Sequence, residues 1–272
     1  MRVLAIETAT SSVGCALWVD GAVVGASRLM ASRRHAEVLM ATADELCRRA
    51  GLAPAQLDGV AVDVGPGLFT GLRVGLAAAG ALAAARDLPS AGVTSLETVA
   101  YPQRHRPGMV AAILDARRGE VYFALYESDG VALEERRPPS VASPGEVAGV
   151  LAGLAGRPLA VGEGAWRYRA ALGETGAQLG GPAEMWPSPE VVAELGARRL
   201  EHWLGVGERV LEDGASLGGL LRRGAAPAAL YLRQADVRIG WEQVGGRVGP
   251  AGDGAGQGAQ AKSGRGAGGG VA

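Results

Sequence analysis

Apolar and polar positions along the first half of the chain follow two periods, and they divide it into strands and helices. VLAIETA (3–9), GCALWVD (14–20) and AVVGASRLM (22–30) read as three strands, the last two joined at Asp20-Gly21, a strong hairpin signal. Apolar residues Ala36, Leu39, Met40, Ala43, Leu46, Cys47 and Ala50 then recur at helical spacing. They predict a helix over 36–50, with Gly51 as its C-cap. GVAVDV (59–64) is a short apolar strand leading into the turn Gly65-Pro66-Gly67. A long helix is predicted from Thr70 to about Arg86, then a strand near 91–94 and a short helix from Ser95. Three strands, a helix, a strand, a helix and a strand imply a mixed sheet with crossover helices, an α/β arrangement.

A second unit starts near Met109. MVAAILDA (109–116) and EVYFALYE (120–127) read as strands paired across a tight turn at Arg117–Gly119, followed by a strand in VALEERR (131–137). A helix after Pro144, a strand at 159–161, a helix over about 189–204 and a last strand in AALYLRQADV (228–237) complete it. From Gly240 glycine and alanine dominate, so this stretch reads as a flexible tail. The organisation expected is a first domain over 1–105, a second over 106–239 and a tail over 240–272.

Two features of the patterning bear on function. Thr70 stands where an N-cap would, so the 65–67 turn could be an anion cradle or a plain strand-to-helix turn that uses glycine for geometry. The helix after it, between Arg73 and Arg86, is nearly all alanine, glycine and leucine. A helix that is apolar all round is buried all round or faces a partner. Its small residues Gly75, Ala79 and Gly80 would admit another helix, either a partner's or the chain's own 36–50 segment.

Composition narrows the chemistry. The 272 residues are 48% hydrophobic and 20% charged with net charge -1, an ordinary globular balance that gives no reason for a large nucleic-acid or membrane footprint. The single lysine, Lys262, lies in the glycine-rich stretch, which argues against Schiff-base or P-loop lysine chemistry in the body. Histidines 35, 105 and 202 and cysteines 15 and 47 show no metal-ligand spacing, and the cysteines read as reduced thiols. Glu7 interrupts the first apolar run, unlike a signal peptide, and no apolar run is long enough to span a bilayer. A cytoplasmic protein poor in catalytic side chains is expected. His35 reads as a helix-start surface residue or a catalyst. Asp115, Arg117 and Glu120 read as a solvent-facing hairpin or an acid–base group that would need a pocket.

RVLAIETATSSVGCALW, RRHAEVL, GPGLFTGLRVG, DARRGEVYFALY and AALYLR occur in the order seen in bacterial TsaB (YeaZ-like) proteins, and the chain resembles that family from Met1 to about Val237. The pieces most specific to the resemblance contain Gly65, Pro66, Gly67, Phe69, Asp115, Arg117, Gly119 and Glu120. It implies the actin-like, sugar-kinase and heat-shock ATPase (ribonuclease H-like) superfamily, with two related α/β domains. It also implies a non-catalytic role in making threonylcarbamoyladenosine in tRNA.

TsaD, the catalytic relative, carries a metal-binding histidine pair, and here those positions fall on Ser95 and Val99, which cannot replace two imidazoles. Glu7 stands where the superfamily commonly has aspartate, and Ala9, Thr10 and Ser11 replace its phosphate-binding glycine hairpin. The resemblance therefore implies no metal and no cofactor held by this chain alone, with ATP or ADP and a metal entering only in a complex. It implies TsaD and TsaE homologues as partners, a homodimer in the absence of TsaD, and tRNA reached through the complex. Pairing would use His35, Ala36, Leu39, Met40 and Ala43 on one helix and Thr70, Gly71, Arg73, Val74, Gly75, Ala78 and Ala79 on the other. The alternative is an autonomous actin-like-fold kinase or ATPase built on Glu7, Asp63 and Asp115.

Overall fold

A computed structural model describes residues 1–30, 35–206 and 221–232, with the backbone alone for His35 and Val206. All of this lies within one compact unit, Met1–Gln234. The expected tail over 240–272 lies outside the described residues.

Strands β1 (Arg2–Glu7), β2 (Ser12–Val19) and β3 (Ala22–Met30) form an antiparallel meander. Its second turn is Asp20-Gly21, with φ of 45° and 98°. Both values are positive, as the twist of a two-residue hairpin demands. Helix α1 (His35–Arg49) precedes β4 (Gly59–Asp63), α2 (Phe69–Arg86), β5 (Pro89–Val93) and α3 (Ser95–Ala100). Both β4 and β5 run parallel in the sheet. Gly51 takes φ 68° beyond α1, the left-handed residue expected of a C-cap.

The second sheet repeats the first. Strands β6 (Gly108–Arg117), β7 (Glu120–Ser128) and β8 (Leu133–Ala142) form a meander. Helix α4 (Pro144–Ala152) leads to β9 (Leu159–Val161), parallel to β6. The short helices α5 (Glu163–Arg167) and α6 (Arg169–Leu172) lead to β10 (Gln178–Leu179). Strand order is β11-β5-β4-β1-β2-β3 in one sheet and β10-β9-β6-β7-β8 in the other, so five strands of each correspond one to one. This is the α/β class of two related sheets that the resemblance implied.

Helix α7 (Pro189–Val206) and strand β11 (Leu221–Arg223) return to the first sheet. Helix α7 covers one face of it through Val192, Ala193, Ala197, Leu200 and Trp203, while α1 and α2 cover the other. Helix α3 and helices α4 to α6 cover the two faces of the second sheet.

Several expectations change. Thr70 is not the N-cap: α2 starts at Phe69 and its cap is Leu68, which has no side-chain cap bond. The Leu68 N–H donates instead to the Ala9 carbonyl at 2.6 Å, so the turn is closed by the first strand's end. Residues 228–232 of the expected last strand join no sheet. Leu230 N–H donates to the Val64 carbonyl and the rest packs as coil, while 233–237 lie outside the described residues. Strand β8 runs on through Pro138 and Pro139, which its edge position tolerates.

Candidate functional site

The two sheets bring the carboxyl ends of equivalent strands to one cleft. Glu7 ends β1 and Asp63 ends β4, whereas Asp115 lies near the end of β6 and Glu163 begins α5 just after β9. Three of these carboxylates make the same local contact. Each accepts the backbone N–H two residues on: Ala9 for Glu7 (2.9 Å), Gly65 for Asp63 (2.8 Å) and Arg117 for Asp115 (3.1 Å). Such bonds fix the chain as it leaves a strand. Glu163 instead accepts from the Asp115 N–H at 3.2 Å.

Burial sets their charge. Glu7 and Asp63 are fully buried, and desolvation drives both carboxyls up. Asp63 reaches about 7 against the pull of Ser95 and Gly65, and the neighbouring Asp63 charge drives Glu7 further up. Burial likewise lifts Glu163 to about 7. Among the described residues, Glu7 Oε2, Asp63 Oδ2 and Glu163 Oε2 are buried without a hydrogen-bond partner. Asp115 is buried too, and it sits between Arg117 (3.6 Å) and Arg167 (3.7 Å).

The cleft above this floor is narrow. Ala9, Thr10, Ser11, Gly67, Leu68, Asp115, Arg117 and Glu163 enclose a cavity of about 10 Å³, room for about one water. A Cβ on Gly67 would overlap the Ala9 carbonyl, so the turn after β4 packs directly on the loop after β1. That is the structural use of the GPG turn: it admits close backbone approach and leaves no space for a phosphate.

The positions that resemble the metal histidines are also committed to the chain's own structure. The Ser95 hydroxyl donates to Asp63 Oδ1 at 2.7 Å, and Val99 is buried in the core under the second sheet. Among the described residues no group of three metal-ligating side chains comes together. A nucleotide–metal pair, as the superfamily would imply, does not fit these residues. Both thiols are free and buried, and desolvation pushes Cys15 up to about 12.

The residues expected at a partner interface divide by burial. Leu39 and Ala43 of α1 and Gly71, Gly75 and Ala79 of α2 face the chain's own sheet, so they are not surface. The Thr8 hydroxyl donates to the Gly71 carbonyl (2.8 Å), and a Cβ on Gly75 would overlap Thr8 Oγ1. Gly71 and Gly75 of α2 therefore admit the chain at and just after the end of β1. Gly80 instead lies against Ala226 of the same chain. Ala36, Met40, Thr70 and Arg73 are exposed, Val74 and Ala78 are half-buried, and the His35 side chain lies outside the description. Arg73 stacks on Phe69, its guanidinium 3.9 Å from the ring centre, and Phe69 meets Tyr231 at 5.5 Å.

Sequence reading favoured a solvent-facing hairpin at 115–120. The structure exposes Arg117, Arg118 and Gly119 but buries Asp115 and leaves Glu120 half-buried. It also missed Glu163, whose only signal is its place between Gly162 and Gly164. A Cβ on either glycine would overlap β6 at Ile113 or Leu114. This crossing is what presses Glu163 against Asp115.

Comparisons with known proteins agree with this architecture. The family described as TsaD: tRNA N6-adenosine threonylcarbamoyltransferase matches residues 28–172. The tRNA threonylcarbamoyladenosine biosynthesis protein TsaB of Bacillus subtilis is 36% identical over 138 residues, 51% of this chain and 60% of that protein. TsaB of Escherichia coli is 38% identical over 131 residues, 47% of this chain and 56% of that protein. The match thus spans little more than half the length of these curated relatives. The solved structure of YeaZ from Pseudomonas aeruginosa superposes with TM-score 0.69 at 25% identity, covering 85% of this chain and 99% of that one. The chain belongs to the TsaD family, as a TsaB (YeaZ)-like member of it.

Proposed function

We propose that this chain is a non-catalytic subunit in the biosynthesis of tRNA threonylcarbamoyladenosine, and that it holds a TsaD-type partner in its competent arrangement. The observation that carries this reading is the narrow cleft. Its floor keeps the buried carboxylates of the fold, but a 10 Å³ cavity gives no seat to a nucleotide. What the chain retains is surface. The names of the TsaB relatives supply the pathway, and the family match supplies the kind of partner.

The surface assigned to the partner is the outward side of α1 and α2. Ala36 and Met40 on α1 and Thr70, Arg73, Ala77 and Ala81 on α2 are all exposed, Met40 by 47%. Small residues allow close helix approach, and a flexible methionine fills the gap. In this reading ATP or ADP and a metal arrive with TsaD and a TsaE homologue, tRNA is reached through the assembly, and two copies pair when TsaD is absent. A cytoplasmic site follows from the substrate. No helix among the described residues is long and apolar enough to cross a membrane.

The test is light scattering after size exclusion, on the chain alone and mixed with TsaD from the same cell, with the mixed peak assayed for threonylcarbamoyl transfer to tRNA. A heterodimer with activity absent from either protein alone is the expected result. Met40→Glu with Ala77→Glu should abolish pairing and leave thermal unfolding within a few degrees of the native chain, since both positions are exposed. No complex and no activation would overturn the reading.

A further inference from the structure

On the second sheet's side of the cleft, away from α1 and α2, arginines and aromatic rings gather on two adjacent segments. The β6–β7 turn contributes Arg117 and Arg118, and α5 and α6 contribute Trp166, Arg167, Tyr168 and Arg169. The segments are tied together because Arg117 and Arg167 both reach Asp115. The Asp115 side chain beneath is 6% exposed and burial lifts the Glu163 carboxyl to about 7, so arginines dominate the exposed layer although the chain carries net charge -1.

Geometry separates this patch from an ordinary solvated face. The Arg169 guanidinium lies 5.2 Å from the centre of the Trp166 ring and that of Arg167 lies 5.7 Å from Tyr168. Trp166 is nonetheless 44% exposed, which is unusual for so large an apolar ring. The turn itself is strained. Arg117 and Arg118 adopt φ of 66° and 55°. In that region asparagine and glycine are at ease and other residues are not. Arg118-Gly119 occupies the two-residue connection for which Asn-Gly is the favoured pair.

We propose that Arg117, Arg118, Arg167, Arg169 and Trp166 form a contact surface for a single-stranded RNA loop. Guanidinium groups meet the phosphates, and the exposed indole offers its face to an unstacked base. This combination of arginine and open aromatic ring is how unpaired RNA is held without a deep pocket. An acidic peptide would use the arginines but gain nothing from the exposed ring. The loop lies on the rim, because the cleft behind it has no room for a base. That the RNA is tRNA rests on the proposed function; that the ligand is single-stranded RNA rests on the rim alone.

Anisotropy of a labelled anticodon stem-loop, titrated with the full chain, tests this directly. With about four phosphates neutralised, affinity should fall roughly 50-fold over a fourfold rise in salt. Trp166→Ala with Arg169→Ala should weaken binding about tenfold. Arg118→Asn should also weaken it yet raise Tm, because the strain at the first residue of the Arg118-Gly119 turn is relieved and the Arg117–Asp115 pair is kept. Raised stability with lost binding is a signature no folding defect can produce. Arg136→Ala on β8, where Arg136 pairs with Glu127 and Glu134, is the control and should bind as the native chain does.

The proposal is overturned if the rim variants bind like the native chain, or if neither the chain nor its mixture with TsaD binds the stem-loop. It is equally overturned if a polyglutamate peptide or a fully duplex RNA competes as well as the unlabelled stem-loop. Rim-dependent RNA binding without a TsaD complex would sink the proposed function and leave this surface standing. A working complex indifferent to rim substitutions would do the reverse.

Discussion

Asp63 shows how burial alone can reset the charge of a residue. Its carboxyl is fully buried, is held by Gly65 N–H and the Ser95 hydroxyl, and sits beside Glu7. The folded state therefore binds its proton more tightly than the unfolded chain does. With the carboxyl raised from 3.8 to about 7, this group contributes stability at low pH that is lost as pH climbs from about 4 through about 7. Glu7 is shifted in the same direction and adds to the slope. Asp63→Asn keeps the oxygen that accepts from Gly65 and Ser95 and turns an N–H₂ toward the unpaired buried oxygens. Urea unfolding midpoints of the native chain should fall across that pH window, and those of Asp63→Asn should be flatter and higher at its alkaline end. An unchanged slope would show that Asp63 ionises freely. Sequence alone could place Asp63 at a strand end. Sequence reading could group it with Glu7 of β1, but it could not reveal that both carboxyls are fully buried against one another.

Helix α2 shows what an element's composition says and what it omits. An apolar helix needs cover, and the pattern left its cover undecided between the chain's own segments and a partner. The structure divides the helix lengthwise. Gly71, Leu72, Gly75, Ala79 and Ala83 are buried, while Thr70, Arg73, Ala77, Ala81 and Ala84 are exposed. The split follows from where the backbone must come close: Thr8 binds the Gly71 carbonyl, and Gly75 is the next turn along. A methyl at Gly75 would collide with Thr8 Oγ1, so Gly75→Ala should cost about 2 kcal/mol despite the better helix propensity of alanine. Urea denaturation measures it. A stabilised Gly75→Ala would mean that α2 stands further from β1 than this packing requires. Ala81→Ser on the exposed side of the same helix is the matched control, with an effect within about 0.5 kcal/mol.

At the scale of the whole molecule, a chain that runs through two successive sheets closes by returning to the first. Helix α7 crosses the face opposite α1 and α2, with Gly196 directly over Ala61 and Leu200 over Gly59. Side chains at Gly196 and Gly59 would overlap those neighbours, so two glycines far apart in sequence set how closely the last helix docks. Arg199 then reaches over to Glu97 of α3 at 2.7 Å with two of its contacts, tying the helix to the start of the second half. Gly196→Val should undock α7 and lower the thermal midpoint by about six to twelve degrees, on an overpacking cost of about 3 kcal/mol. A native-like midpoint would show that α7 is dispensable to the first sheet. Strands β1 to β5 join the first sheet and β6 to β10 the second, while α7 and β11 return to the first sheet.

The amino-acid sequence by itself determined the meanders, the tight turns at Asp20-Gly21 and Arg117–Gly119, helices α1, α2, α4 and α7, and a lysine count of one. Each of these rests on local periodicity, turn stereochemistry or a residue count, which a linear chain displays in full. Only the tertiary structure decided that Gly75 and Ala79 face inward, that Glu163 meets Asp115, and that the cleft holds about 10 Å³. It alone brought Arg167 and the strained arginine turn to the same carboxylate, Asp115. Those facts depend on which segments lie against one another across two sheets. No local pattern specifies that, because burial and proximity are properties of the pair and not of either strand.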